Sequence, residues 1–145
     1  MEKEREIVSN IFKLDNMLRR RGNRIAGRFD ATQQQLEVLE ILDEAGGGGL
    51  PLSELGKNLD VTKGNITGLI DRMERDGLAK RKDDSRDRRV IRAVITTKGK
   101  TILKKIQPYK DEWNQMLFKE FVAKEKNDLS GLLGRLLERI NELES

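Results

Sequence analysis

At Gly77 the hydrophobic spacing of this chain changes from the period of a helix to the period of a strand. Ahead of it, Ile66, Leu69, Ile70 and Met73 recur at i, i+3, i+4 and i+7, which places them on one helix face. Behind it, Leu78 to Lys82 and Val90 to Thr96 are β-compatible, and Ile91, Ala93 and Ile95 share one strand face. The polar stretch between the two strands reads as a hairpin loop. Thr62 is placed to cap the helix and Gly77 to end it. A capped helix running straight into a hairpin leaves few ways to bury both apolar faces.

The flanking segments are helical. Ile7, Ile11, Leu14 and Leu18, widened by Val8 and Phe12, predict a first helix that breaks at Phe29 to Thr32, with Thr32 capping the next. The second helix carries Leu36, Val38, Leu39 and Leu42 and stops at Gly46 to Gly49. Leu50-Pro51-Leu52 has room for one edge strand, where Pro51 is tolerated. Ser53 is predicted to cap a short third helix ending near Leu59, and Asp60-Val61 to form a turn. Thr96 or Thr97 caps a long fifth helix reaching about Phe121, bent or relaxed near Pro108. Leu129, Leu132, Leu133, Leu136, Leu137, Ile140 and Leu143 form the stripe of the last helix.

The predicted fold class is mainly α with a small β-hairpin wing. It combines a winged helix-turn-helix lobe, about residues 32–97, with a helical dimerisation layer from about 1–28 and 98–145, all in one domain spanning 1–145. The long outer helices have apolar stripes and little within the chain to cover them. Ile7, Ile11, Leu14, Leu129, Leu133, Leu136, Leu137 and Ile140 are therefore expected at the interface of a homodimer.

Two missing residue types narrow the chemistry. The chain has no cysteine and no histidine, which excludes disulfides and thiolate metal sites and removes the commonest general base and metal ligand. No nucleophile–base pair, phosphate-binding loop or carboxylate cluster falls on convergent elements, so an enzymatic reading has the least support. No metal and no cofactor is expected. The opening Met1-Glu2-Lys3-Glu4-Arg5-Glu6 lacks the apolar stretch of a signal peptide, and no apolar run approaches the roughly 20 residues of a membrane span. The expected location is cytoplasmic.

Charge is segregated. Residues 62–100 carry 12 basic and 6 acidic side chains, whereas residues 32–61 carry 1 basic and 6 acidic. The surplus surrounds the helix and hairpin, as expected of a surface facing a polyanion. At 100° per residue the helix opposes its apolar stripe with Gly64, Gly68 and Asp71, flanked by Thr67 on one side and Asn65 and Arg72 on the other. Two exposed helix glycines each cost about 1 kcal/mol against alanine. That cost makes sense where a partner must approach the backbone, as in the major groove of DNA. The hairpin packs Arg81, Lys82, Arg86, Arg88 and Arg89 around Asp83, Asp84 and Asp87. Asp87 is suited to fix the fork of Arg89, leaving Arg86 or Arg88 for a minor groove. The expected DNA-contacting set is Thr62, Lys63, Asn65, Thr67, Arg72, Arg81, Lys82, Arg86, Asp87, Arg88 and Arg89.

These fragments, in order, resemble the MarR family of bacterial winged-helix regulators over nearly the full length. They are Leu55, then Val61-Thr62-Lys63-Gly64-Asn65-Ile66-Thr67, then Leu69 to Leu78, then Asp84-Ser85-Arg86-Asp87-Arg88-Arg89, then Ile95-Thr96-Thr97-Lys98-Gly99. The resemblance implies an obligate homodimer joined through its first, fifth and sixth helices. It implies a pseudo-palindromic double-stranded DNA operator, and repression relieved by a small aromatic or anionic effector. Gly46 to Gly49, and Gly56 where alanine is common, depart from the pattern; without cysteine the thiol-oxidation branch is excluded. Trp113, Tyr109, Phe118, Phe12 and Met17 are the aromatic and methionine candidates for a pocket, although helical spacing suits core or interface as well. A nonspecific, architectural DNA binder and a protein-binding winged helix remain the alternatives.

Overall fold

In a computed structural model describing residues 1–145, the chain runs α1 (Glu2–Gly27), α2 (Gln33–Ala45), β1 (Leu50–Pro51), α3 (Leu52–Asn58), α4 (Lys63–Arg75), β2 (Ala79–Asp83), β3 (Ile91–Ile95), α5 (Thr97–Leu117) and α6 (Ala123–Glu144). The fold is the expected mainly helical one with a small antiparallel sheet. Residues 1–110 and 111–145 form two separately packed units.

Three helices of the first unit stop in the same way. After α1, α3 and α4 the chain turns through a left-handed residue, Asp30 (φ 59), Asp60 (φ 53) and Gly77 (φ 76). In each turn a later amide reaches back to a carbonyl of the helix's last turn: Ala31 to Ala26 at 3.1 Å, Val61 to Gly56 at 2.9 Å and Leu78 to Met73 at 2.8 Å. Two of the three use aspartate, which tolerates this conformation better than most residues. Helix starts are equally local. Thr32 and Gln35 form a reciprocal capping box on α2, and the Thr96 hydroxyl accepts from the Gly99 amide at the start of α5.

The core of this unit lies where α2, α3, α4, the sheet and the first half of α5 meet. Leu36, Val38, Leu39, Leu42, Leu55, Ile66, Leu69, Ile70, Met73, Leu78, Ala93 and Ile106 are all buried. Full burial of one such aliphatic stabilises by about 1.5–3 kcal/mol, so the four from α4 set the rotation of that helix firmly.

The strands pair in the order β1-β3-β2. Leu50 faces Ala93, and Ala79 to Asp83 face Ile95 to Ile91. Pro51 sits on the edge strand, as expected. The central strand departs from strict alternation, because Ala93 and its neighbour Val94 are both buried; both faces of β3 are covered. Ser53 does not cap α3. That helix begins at Leu52 directly after Pro51, with no side-chain cap, because β1 feeds into it without a loop. Helix α5 continues through Pro108 but ends at Leu117, short of Phe121, where Phe118 and Phe121 turn and meet edge to face at 5.6 Å.

In the second unit Glu125 accepts a hydrogen bond from the Val122 amide at the start of α6, and no residue of α6 is buried. Leu129, Leu133, Leu136, Leu137 and Ile140 are 41–65% exposed. On α1 of the first unit, Ile7, Ile11, Phe12 and Leu14 are 39–69% exposed. No helix is long and apolar enough to cross a membrane.

The glycine run is not uniform. Gly49 has φ +65, and a Cβ there would overlap the Ala93 carbonyl oxygen, whereas a Cβ at Gly47 meets nothing within 4 Å. Gly49→Ala is expected to lose about 1–3 kcal/mol in urea unfolding, and Gly47→Ala to stay within about 0.5 kcal/mol of the parent.

Candidate nucleic-acid interface

Helix α4 is started by Thr62, whose hydroxyl accepts from the Asn65 amide at 3.2 Å. Its buried stripe of Ile66, Leu69, Ile70 and Met73 leaves Lys63, Gly64, Asn65, Thr67, Asp71 and Arg72 exposed. A Cβ at Gly64 would meet nothing within 4 Å, so no packing in this chain requires glycine there. The Thr67 hydroxyl donates to the Lys63 carbonyl at 2.9 Å, which leaves its methyl as the group free to meet a partner. Arg72 borders a cleft with Gln33 and Gln34 of α2. Asp71 lies on the opposite flank, toward the hairpin, where it meets Arg81.

The loop from residue 84 to 90 is organised by carboxylates. Asp84 Oδ2 accepts from the Arg86 amide at 3.0 Å and the Asp87 amide at 2.9 Å, and Oδ1 accepts from Arg92 Nη1 at 2.9 Å. Arg92 also donates to the Gly48 and Gly49 carbonyls, tying the loop to the segment before β1. Asp87 receives the Arg89 fork through Nε and Nη2, both at 3.1 Å, and the Arg89 amide at 3.0 Å, as the spacing suggested. Both carboxyls are held below the ordinary aspartate range. For Asp84 the first cause is the two backbone amides, and for Asp87 it is the Arg89 fork. The loop therefore stays braced down to pH values at which a free aspartate protonates.

This bracing leaves Arg86 and Arg88 exposed, with neither guanidinium drawn into an ion pair. Lys82 on β2 is exposed as well. Arg89 is 90% exposed despite its pairing. Thr62, Lys63, Asn65, Thr67, Arg72, Lys82, Arg86, Arg88 and Arg89 thus lie on exposed parts of adjoining elements, with Asp87 as a brace among them.

Arg81 is the exception to the expected set. Its guanidinium donates to Asp71 Oδ1 at 2.6 Å and Glu74 Oε1 at 2.9 Å, and its amide donates to Glu74 Oε2 at 3.0 Å. Expected as a contact to DNA, it is turned instead onto the acids of α4. Burial draws its pKa down, but the bonds to Asp71 and Glu74 outweigh that and raise it. Sequence reasoning missed Asp84 and Arg92 as loop braces. An aspartate followed by amides two and three residues on is a readable turn signal, but the reach of Arg92 to the glycine run follows from strand order and has no local signature.

Two of the aromatic candidates have ring partners within the chain. Tyr109 meets Phe29 edge to face at 5.8 Å and lies under Arg28 at 5.1 Å, and Phe118 meets Phe121. No group of three or more His, Cys, Asp and Glu side chains is arranged to hold a metal ion.

At Gly64 the effects of a substitution on stability and on binding are expected to run in opposite directions. Gly64→Ala is expected to raise the free energy of unfolding by up to about 1 kcal/mol while weakening duplex binding, measured by thermal unfolding and by fluorescence anisotropy. Unchanged affinity would remove the close-approach role.

Residues 31–91 match the family model described as the MarR family. The chain is 33% identical over 116 residues to the HTH-type transcriptional repressor YetL of Bacillus subtilis, covering 80% of this chain and 69% of that protein. The fold is similar to wild-type MarR of E. coli in its apo form, with TM-score 0.75, 28% identity and coverage of 89% and 94%. It is also similar to S. aureus MepR in a complex with DNA, with TM-score 0.80, 23% identity and coverage of 90% and 96%. The capped helix, its exposed glycine and the carboxylate-braced cationic loop thus occur in a chain that belongs to the MarR family of winged helix-turn-helix regulators.

Proposed function

We propose that this protein is a sequence-specific regulator of transcription that binds a pseudo-palindromic double-stranded operator as a homodimer. Each α4 enters a major groove through the face bearing Asn65, Thr67 and Gly64, and each hairpin loop directs Arg86 or Arg88 into the neighbouring minor groove. Lys63, Lys82, Arg72 and Arg89 contact the phosphate backbone, and Asp87 holds its loop. Bound across a promoter, the dimer represses, and a small aromatic or anionic effector releases it. This work takes place in the cytoplasm and requires no catalysis.

The observation that carries the reading is the pairing of two opposite designs on adjoining elements. The loop is fixed by Asp84 and Asp87 while Arg86 and Arg88 stay unpaired, and the helix beside it exposes a glycine that its own fold does not require. Fixing cations in advance reduces the ordering cost of binding. A purely nonspecific binder gains little from such placement, since its affinity comes from charge alone.

Selection of bound fragments from genomic DNA, followed by competition with random duplex at moderate salt, tests the reading. The selected site is expected to bind at least about 10³-fold more tightly than random sequence. Asn65→Ala should cost about 1–3 kcal/mol of discrimination at one base pair. Lys82→Ala should weaken all sequences alike and lower the salt slope by about one. Equal affinity for every duplex would favour an architectural role, and raised promoter output on binding would make the protein an activator.

The homodimer rests on the exposed stripes of α1 and α6, each a surface that a lone soluble chain rarely leaves open. Replacing Leu133 and Leu137 together by aspartate is expected to give monomers in sedimentation and loss of operator binding. Dimers that survive the double substitution would place the interface elsewhere.

A further inference from the structure

Helix α4 carries two acids on the flank nearest the hairpin, Asp71 and Glu74, which are 60% and 41% exposed in their side chains. A duplex presents one negative charge per about 1.7 Å of its axis, so carboxylates on a helix that enters its groove are repelled unless something balances them. One side chain reaches both. Arg81, itself 28% exposed, bridges Asp71 and Glu74 from strand β2, and its Nη2 also lies 3.4 Å from the Thr67 carbonyl. The Arg81 amide completes the contact on Glu74. For this guanidinium to reach a phosphate, it would have to leave two ion pairs and uncover both acids.

We infer that Arg81 is a positioning residue that acts on DNA binding through Asp71 and Glu74, cancelling their charge beside the groove and joining the reading helix to the first hairpin strand without itself touching the duplex. The inference rests on the proposed DNA-binding function. It reassigns a cation of the basic surface whose guanidinium is taken up by the acids of the reading helix. The planar fork of arginine suits the task, because it can address two carboxylates at once, which the point charge of lysine does not.

The test compares the parent protein, Arg81→Met, and the triple variant Asp71→Asn, Glu74→Gln, Arg81→Met. Binding to sheared genomic duplex is measured over a range of salt, with circular dichroism melting as the control for folding. Arg81→Met is expected to bind on the order of tenfold more weakly at low salt, with the deficit shrinking as salt screens the uncovered acids. The triple variant is expected to recover to within about threefold of the parent with its salt slope unchanged, because no phosphate contact has been lost. If the triple variant stays weak and its slope falls by about 0.9, Arg81 contacts a phosphate directly and the inference is wrong. If it stays weak with the slope unchanged, Arg81 serves only to attach the hairpin, which also overturns the inference. Should Arg81→Met fail to fold, Glu74→Gln alone decides: equal or tighter binding supports the charge-cancelling role, and weaker binding defeats it. A parent protein that binds no duplex would overturn the DNA-binding reading itself, a result separate from failure of the triple variant to recover.

Discussion

The rotation of α4 about its own axis is the constraint on which the rest depends. Four side chains, Ile66, Leu69, Ile70 and Met73, enter the core together, and turning the helix by even one residue would expose two of them and bury a polar one. Its two ends are held as firmly. Thr62 fixes the entry, and the bond from the Leu78 amide to the Met73 carbonyl closes the exit and sends the chain into β2. The exposed face of the helix and the root of the hairpin are therefore set by one apolar contact surface.

Acids inside the basic surface follow a consistent logic. Each of the four carboxylates around the hairpin that lies in strong contact with a cation is doing a mechanical task. Asp84 gathers two loop amides and Arg92, Asp87 holds Arg89, and Asp71 shares Arg81 with Glu74. Some cations are immobilised by these pairings, while Arg86 and Arg88 are left free on a braced loop. Net charge alone describes such a surface poorly. What distinguishes it from a basic tail is that the free cations project from a braced loop.

Much of this was legible in the sequence because its signals are local. The change of period at Gly77, the caps at Thr32 and Thr62 and the alternation on β3 all act within a few residues, and helix and strand positions followed from them. The Asp87–Arg89 pair is also local, two residues apart. The parts that were not legible depend on strand order. Arg81 looks like one more member of a cationic run until β2 is seen lying against α4, and Arg92 meets Gly48 only because β3 pairs with β1. Ser53 misled for a related reason: its residue type favours a cap, but β1 runs into α3 and the helix had already begun at Leu52.

The strand order has a consequence for how the lobe assembles. β3 comes last along the chain yet lies in the middle of the sheet, so neither β1 nor β2 has a backbone partner until it arrives. A nascent chain emerging from the ribosome would carry α2, α3 and α4 with two unsatisfied strands until Ile95 is clear of the exit. Completion of the sheet is then one late, long-range event, and long-range pairing of this kind slows folding. The two-residue length of β1 and the proline within it give the waiting edge little to offer a neighbouring chain.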